Sequence, residues 1–182
     1  VATAEIARAV AAALRRHGTR HIVLDPVMIA KSGDRLLAAD AVAAIRDELI
    51  PLAEVITPNL PEAAALLGRP EPADVAAMRT MATELLALGS AAVLLKGGHL
   101  AGNDATDVLA DAGGLAEFTA PRVATKNTHG TGCTLSSAIA ALLPVMPRAE
   151  AIHAAKGYLS EAVPHSDRLG VGRRHGAVRD FF

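Results

Sequence analysis

Three short apolar runs, each followed at once by a polar or glycine-rich group, constrain the fold of this chain more than any other feature. The runs are His21–Leu24, Val55–Thr57 and Ala91–Leu95, and segments with helical spacing of apolar residues separate them. Strands that are apolar throughout and alternate with helices are typical of a mostly parallel sheet covered by helices on both faces. The sequence therefore predicts an α/β fold.

Helical patterns account for most of the remaining chain. Apolar spacing predicts helices over 3–16, 40–49, 61–67, 74–88, 131–143 and 149–163. Asp40 and Asp74 are the predicted N-caps of two of these helices, and Gly18 and Gly68 stand where two others end. Asp111–Gly114 lies between two strand-like segments and predicts a β-hairpin.

Composition limits the class of protein. The 182 residues suffice for one ordinary domain, and 51% of them are hydrophobic although only 2% are aromatic. A net charge of −1 provides no basic field for nucleic acid. No apolar run is long enough to span a bilayer, and one cysteine cannot form an internal disulfide. These features predict a single cytoplasmic domain with neither nucleic acid nor membrane as a partner.

Polar residues follow each predicted strand. Asp25, Asn59 and Lys96 occupy these positions, Glu62 lies three residues beyond Asn59, and Gly97 and Gly98 follow Lys96. Ligands of parallel sheets bind beyond the carboxyl ends of the strands. Oxygen ligands there can hold Mg²⁺, and a lysine can pair with a phosphate. Each residue alone also fits a local role, in a turn, at a helix start or in solvent.

A glycine-rich turn precedes the helix that begins near Thr131. Gly130 and Gly132 allow a sharp turn, and the unpaired N–H groups of the first helical turn can bind an anion such as a phosphoryl group in transfer. The run is not a Walker A motif. The alternative is an ordinary helix entry with Cys133 as a small buried side chain. A hydrolase with a Cys133 nucleophile and His129 as its base is a third, weaker hypothesis.

Four blocks of sequence carry a resemblance to a known family. They are Asp25–Gly33, Thr57–Ala63, Leu95–His99 and Asn127–Ser137. Together, in this order and spacing, they resemble the hydroxymethylpyrimidine/phosphomethylpyrimidine kinases of thiamine biosynthesis, which belong to the ribokinase superfamily. The resemblance implies a ribokinase-like α/β fold. It also implies ATP-dependent phosphorylation of 4-amino-5-hydroxymethyl-2-methylpyrimidine and of its monophosphate, with Mg²⁺.

The resemblance also implies roles for particular residues. Cys133 looks like the base that takes the proton from the substrate hydroxyl, at a position where related sugar kinases have Asp. Val27 resembles a wall of the pyrimidine pocket. The implied anion hole is Gly130, Thr131, Gly132 and Cys133; the implied ATP contacts are Lys96, Gly98, Thr128 and Gly132; the implied Mg²⁺ ligands, partly through water, are Asp25, Asn59 and Glu62.

The family pattern includes segments that this chain does not match. Family members begin with glycine-rich βαβ units that would precede Val1, so the resemblance implies a C-terminal portion of a kinase that is a homo-oligomer at full length. Arg174–Ala177 replaces a usual Gly-His-Gly-Pro tail, and Pro144–Pro147 replaces a glycine-bearing turn. Two alternatives follow: a catalytically impaired remnant that keeps the nucleotide-binding half, and a kinase for a pyridoxal-like alcohol.

Overall fold

The computed structural model describes residues 3–28, 37–98, 100, 102, 104–122 and 130–165. The helices are α1 (Ala4–Arg16), α2 (Ala39–Ala44), α3 (Leu60–Leu67), α4 (Val75–Leu86), α5 (Thr131–Leu142) and α6 (Arg148–His165). The strands are β1 (Val23–Leu24), β2 (Val55–Ile56), β3 (Ala92–Leu95), β4 (Asp104–Asp111) and β5 (Gly114–Pro121). The chain divides into two compact units, Val1–Thr119 and Ala120–Phe182.

The strands form one mixed sheet in the order β1-β2-β3-β4-β5. β1, β2 and β3 are parallel, with Leu24 opposite Ile56 and Ile56 opposite Val93. β4 is antiparallel to β3 and places Val108 opposite Leu95. β4 and β5 are joined by the predicted turn around Gly113, which donates its N–H to Asp111 Oδ1 at 2.8 Å. The predicted parallel strands and hairpin are therefore confirmed.

The core of the first unit lies between its helices and the sheet. Buried apolar side chains come from α1, α2, α3, α4 and the strands, and they form one cluster. Its largest fully buried members include Ile50, Ile56, Leu66, Met78 and Leu85. Many members of this cluster are alanines of the helices. Their small side chains allow the helices to pack closely in a chain with few aromatic residues.

The helix starts follow local capping chemistry, with one correction to the sequence prediction. Asp74 caps α4 as predicted, and its side chain accepts the N–H of Ala77 at 2.7 Å. Asp40 does not cap α2. The N-cap is Ala38, and Asp40 lies inside the first turn, where its Oδ1 accepts the neighbouring N–H of Ala41. α2 then continues as a π-helical turn over Ile45–Leu49.

The second unit contains α5 and α6, which pack on each other. Both were predicted, and their observed bounds differ from the predicted ones by at most two residues. A groove of about 710 Å³ runs along α5 from Cys133 to Leu142 and is completed by Ala154 and Tyr158 of α6. None of the helices among the described residues combines the length and apolarity needed to cross a bilayer.

The two aspartates give a test of the capping assignment. Asp74→Ala should lower the free energy of unfolding by about 1 kcal/mol, because it removes the N-cap acceptor of α4. Asp40→Ala should cost less, because Asp40 is not the N-cap of α2. Urea denaturation of both variants measures the difference, and equal losses would contradict the assignment.

Candidate active site

The ends of the three parallel strands bring the predicted polar residues together. Asp25 follows β1, Asn59 follows β2 and Lys96 follows β3. The pairing of β2 with β3 continues past the strands as a parallel bridge between Asn59 and Lys96. The N–H of Lys96 donates to the carbonyl oxygen of Pro58 at 2.9 Å. The sheet therefore fixes these residues at one edge through its backbone.

Asp25 and Lys96 form an ion pair at this edge. Lys96 Nζ lies 2.9 Å from Asp25 Oδ1, and the two side chains are 16% and 12% exposed. Thr57, which is fully buried, donates its hydroxyl to the same Oδ1 at 3.2 Å. Among the described residues, both of these contacts are made to Oδ1 of Asp25, and no hydrogen bond is made to Oδ2. Thr57 was not predicted as a site residue.

Asn59 and Glu62 form a reciprocal capping box at the start of α3. Asn59 Oδ1 accepts the N–H of Glu62 at 2.9 Å, and Glu62 Oε2 accepts the N–H of Asn59 at 2.8 Å. Helix capping, which the sequence left open as the local role of these residues, is therefore real. It does not exclude metal binding, because each carboxylate or amide oxygen has a further lone pair.

Burial raises the pKa of the Glu62 carboxyl above its usual range. Only 3% of Glu62 is exposed, and loss of water disfavours the charged form. The Asn59 N–H and the Lys96 charge lower this pKa, the negative charge of Asp25 raises it, and the Met28 N–H lowers it. Together these effects raise the pKa of Glu62. A cation bound nearby would favour the ionised carboxylate and lower this pKa.

Asp107 on β4 contacts Gly97, which lies two residues after the end of β3. The N–H of Gly97 donates to Asp107 Oδ1 at 2.9 Å in a buried hydrogen bond. A Cβ on Gly97 would lie 1.9 Å from the carbonyl oxygen of Thr106. Asp107 escaped the sequence prediction, although an aspartate directly before the apolar run Val108–Ala110 was the available signal.

The cluster supplies hard oxygen ligands of the kind that Mg²⁺ binds. In the described part of the chain, no three His, Cys, Asp or Glu side chains form a group that could hold a metal alone. Mg²⁺ is usually bound by one or two carboxylates together with water and substrate phosphates. Asp25 and Glu62, with Asn59 beside them, fit that incomplete set.

The glycine-rich turn begins α5 as predicted, within the second unit. Gly130 adopts φ 89° and ψ −4°, a left-handed conformation that favours glycine. Thr131, Gly132 and Cys133 occupy the first turn, the part of a helix at which anions bind. Cys133 is exposed, so the expectation of a small buried side chain is wrong.

The remaining predicted residues divide between observed and undescribed positions. Val27 is 47% exposed, and its N–H donates to the carbonyl oxygen of Asp25 at 2.9 Å. Gly98 is exposed beside Gly97. Thr128 and His129 lie outside the described residues.

Glu62 should make stability depend on pH. Its raised folded-state pKa means that its contribution is fully present at acid pH and is lost as pH rises through that pKa. Without metal, Glu62→Gln should therefore become increasingly stable relative to the unsubstituted chain between acid and neutral pH. Glutamine keeps the capping box, whereas Glu62→Ala removes half of it.

Urea denaturation at several pH values, with EDTA present, measures this effect. Glu5→Gln, at an exposed first-turn position of α1, controls for the loss of one charge near a helix start. A Glu62→Gln difference that does not change with pH would contradict the assignment.

The two glycines after Lys96 should differ sharply in tolerance. Gly97→Ala should cost at least about 1–3 kcal/mol, because the new methyl group meets the Thr106 backbone and the Met78 side chain. Gly98→Ala should leave the fold intact, since nothing lies within 4 Å of its added Cβ. Thermal unfolding compares the two, and equal stability would refute the close packing.

Comparison with known proteins extends over the whole chain. The family model described as phosphomethylpyrimidine kinase matches residues 1–179. The hydroxymethylpyrimidine/phosphomethylpyrimidine kinase of Rhizobium meliloti (strain 1021) is 50% identical over 182 residues, which are 100% of this chain and 68% of that relative.

Solved structures confirm the predicted ribokinase-like α/β fold. The ADP complex of Bacillus subtilis pyridoxal kinase has a TM-score of 0.90 and 34% identity, and the match covers 98% of this chain and 67% of that one. The phosphomethylpyrimidine kinase from Clostridium difficile 630 has a TM-score of 0.76 and 37% identity, over 90% and 66%. By sequence and by fold, this chain belongs to the phosphomethylpyrimidine kinase family.

Proposed function

We propose that this chain provides the phosphoryl-transfer machinery of a hydroxymethylpyrimidine/phosphomethylpyrimidine kinase. The observation that carries the proposal is the convergence of Asp25, Asn59, Glu62 and Lys96 at one sheet edge. It is joined to 50% identity with a kinase of that name. Identity to the Bacillus subtilis pyridoxal kinase is 34%, so a pyridoxal-type substrate is less supported.

Asp25 and Glu62 are the residues that would hold Mg²⁺, with Asn59 acting through water. Asp25 Oδ2 accepts no hydrogen bond from a described residue, and the Asn59 oxygen already accepts the Glu62 N–H. Held there, Mg²⁺ would supply positive charge to offset the negative charge of the phosphates during transfer. A cation beside buried Glu62 would also stabilise its ionised carboxylate.

Lys96 is the proposed contact for the phosphates of ATP. Its ammonium group is paired with Asp25, and its side chain is 16% exposed, so the residue is not fully buried. A lysine has three donors and can bridge a carboxylate and a phosphate at the same time. Gly98 and Thr128 are further predicted ATP contacts, as is Gly132.

The start of α5 would stabilise the group in transfer. The N–H groups of Thr131, Gly132 and Cys133 and the positive end of the helix dipole favour a phosphoryl group. Gly130 supplies the left-handed turn that opens this helix end. These residues form the proposed anion hole.

Cys133 is the proposed proton acceptor, and its exposed position leaves it accessible to a substrate. Its thiolate would take the proton from the substrate hydroxyl as that oxygen forms a bond to the γ-phosphorus. The bond between that phosphorus and the oxygen that bridges it to the β-phosphate breaks, and ADP leaves with that oxygen. Exposed Val27 is the proposed wall of the pyrimidine pocket.

The use of ATP and the unpaired Cys133 favour the cytoplasm, where thiols stay reduced. A homo-oligomeric state remains a prediction.

The direct test is ATP-dependent phosphorylation by the purified chain with Mg²⁺, first of the hydroxymethylpyrimidine and then of its monophosphate. We expect turnover of both and a higher kcat/KM than for pyridoxal. ATP binding without turnover would favour the impaired remnant, and a preference for pyridoxal would overturn the substrate assignment.

Cys133→Ala should lower kcat by roughly 10²–10⁴-fold, the usual contribution of a general base. The Cys133→Ala variant should retain its affinity for ADP. Ser137→Ala is the matched control, because Ser137 lies one helical turn further along the same groove. Unchanged turnover in Cys133→Ala would remove the base assignment.

A further inference from the structure

Asp107 is a buried carboxylate that the proposed chemistry does not use. It is 6% exposed in β4, directly before Val108, Leu109 and Ala110, which are at most 3% exposed. Burying a charge is costly unless hydrogen bonds compensate it. An apolar residue would fill this position at lower cost if packing were its only role.

The Asp107 side chain accepts a backbone hydrogen bond just beyond the end of the ladder between β3 and β4. That ladder pairs Leu95 with Val108, and β3 ends there. Two residues later, the Gly97 N–H donates to Asp107 Oδ1 at 2.9 Å. The contact brings the Gly97 backbone against the Thr106 carbonyl, where only glycine fits. Asp107 thereby fixes the turn that follows Lys96.

Lys96 is consequently held from three directions. Its own N–H is bound by the Pro58 carbonyl, and its Nζ is bound by Asp25. The next peptide group is bound by Asp107. A carboxylate acceptor makes this last bond stronger than a neutral acceptor would. These bonds hold the backbone on both sides of the Lys96 side chain.

We infer that Asp107 is a positioning residue: it orients Lys96 so that the Lys96 ammonium group can contact the phosphates of ATP. This inference rests on the proposed function in one respect, the contact between Lys96 and phosphate. Asp107 acts through Gly97 and Lys96, so its loss should weaken nucleotide binding and leave the KM for the pyrimidine unchanged.

The experiment compares Asp107→Ala and Asp107→Asn with Asp111→Ala. Asp111 is the matched control, because it lies on the same strand and also accepts a glycine N–H, that of Gly113. Three measurements are made: the Kd for MgADP by calorimetry, the KM values for ATP and for the pyrimidine, and the NMR signal of the Lys96 ammonium. Lys96→Arg assigns that signal by its absence.

Asp107→Ala should raise the Kd for MgADP and the KM for ATP about tenfold, the size expected for losing a hydrogen bond to a charged group. It should shift the Lys96 signal and leave the KM for the pyrimidine within about twofold. Asp107→Asn keeps an acceptor oxygen and should recover part of the affinity. Asp111→Ala should match the unsubstituted chain in all three measurements.

The inference is overturned if Asp107→Ala leaves both the Lys96 signal and the affinity for MgADP unchanged. It is also overturned if Asp111→Ala reproduces the losses, since the effect would then be general to the strand. Should Asp107→Ala not fold, Asp107→Asn carries the same comparison at smaller amplitude. Absence of turnover in the unsubstituted chain would count against the proposed function, while the Lys96 signal would still test the role of Asp107.

Discussion

The site depends on the parallel register of β1, β2 and β3. Strands with a common direction end at the same edge, and here the pairing continues beyond them as the bridge between Asn59 and Lys96. Residues separated by 71 positions can thus form an ion pair, as Asp25 and Lys96 do. Because backbone hydrogen bonds fix the register, they also fix which residues meet at this edge.

Several groups at this edge serve both the fold and the proposed chemistry. Asn59 and Glu62 satisfy N–H groups at the start of α3, and Glu62 is buried in doing so. The burial that secures the helix also disfavours the charge on Glu62. A bound cation would reverse this cost. Helix capping and metal binding are therefore compatible roles of the same carboxylate.

The chemistry is distributed along the chain in two groups of different character. The proposed metal and phosphate ligands, Asp25, Glu62 and Lys96, belong to the first unit, where they follow its parallel strands. The proposed anion hole and proton acceptor open α5 in the second unit, where Gly130 makes the turn possible. Each group relies on backbone geometry more than on long side chains, which suits precise placement of a small transferred group.

Sequence by itself determined the strand–helix alternation, the hairpin, and the polar residues at the strand ends, because apolar periodicity and Gly, Pro and Asn signals are local. It could not settle the N-cap of α2, where Ala38 takes the place expected for Asp40. It also missed Thr57 and Asp107, whose hydrogen-bond partners, Asp25 and Gly97, follow other strands. Only tertiary structure decides those contacts, because a buried polar side chain is defined by its distant partner rather than by its neighbours in sequence.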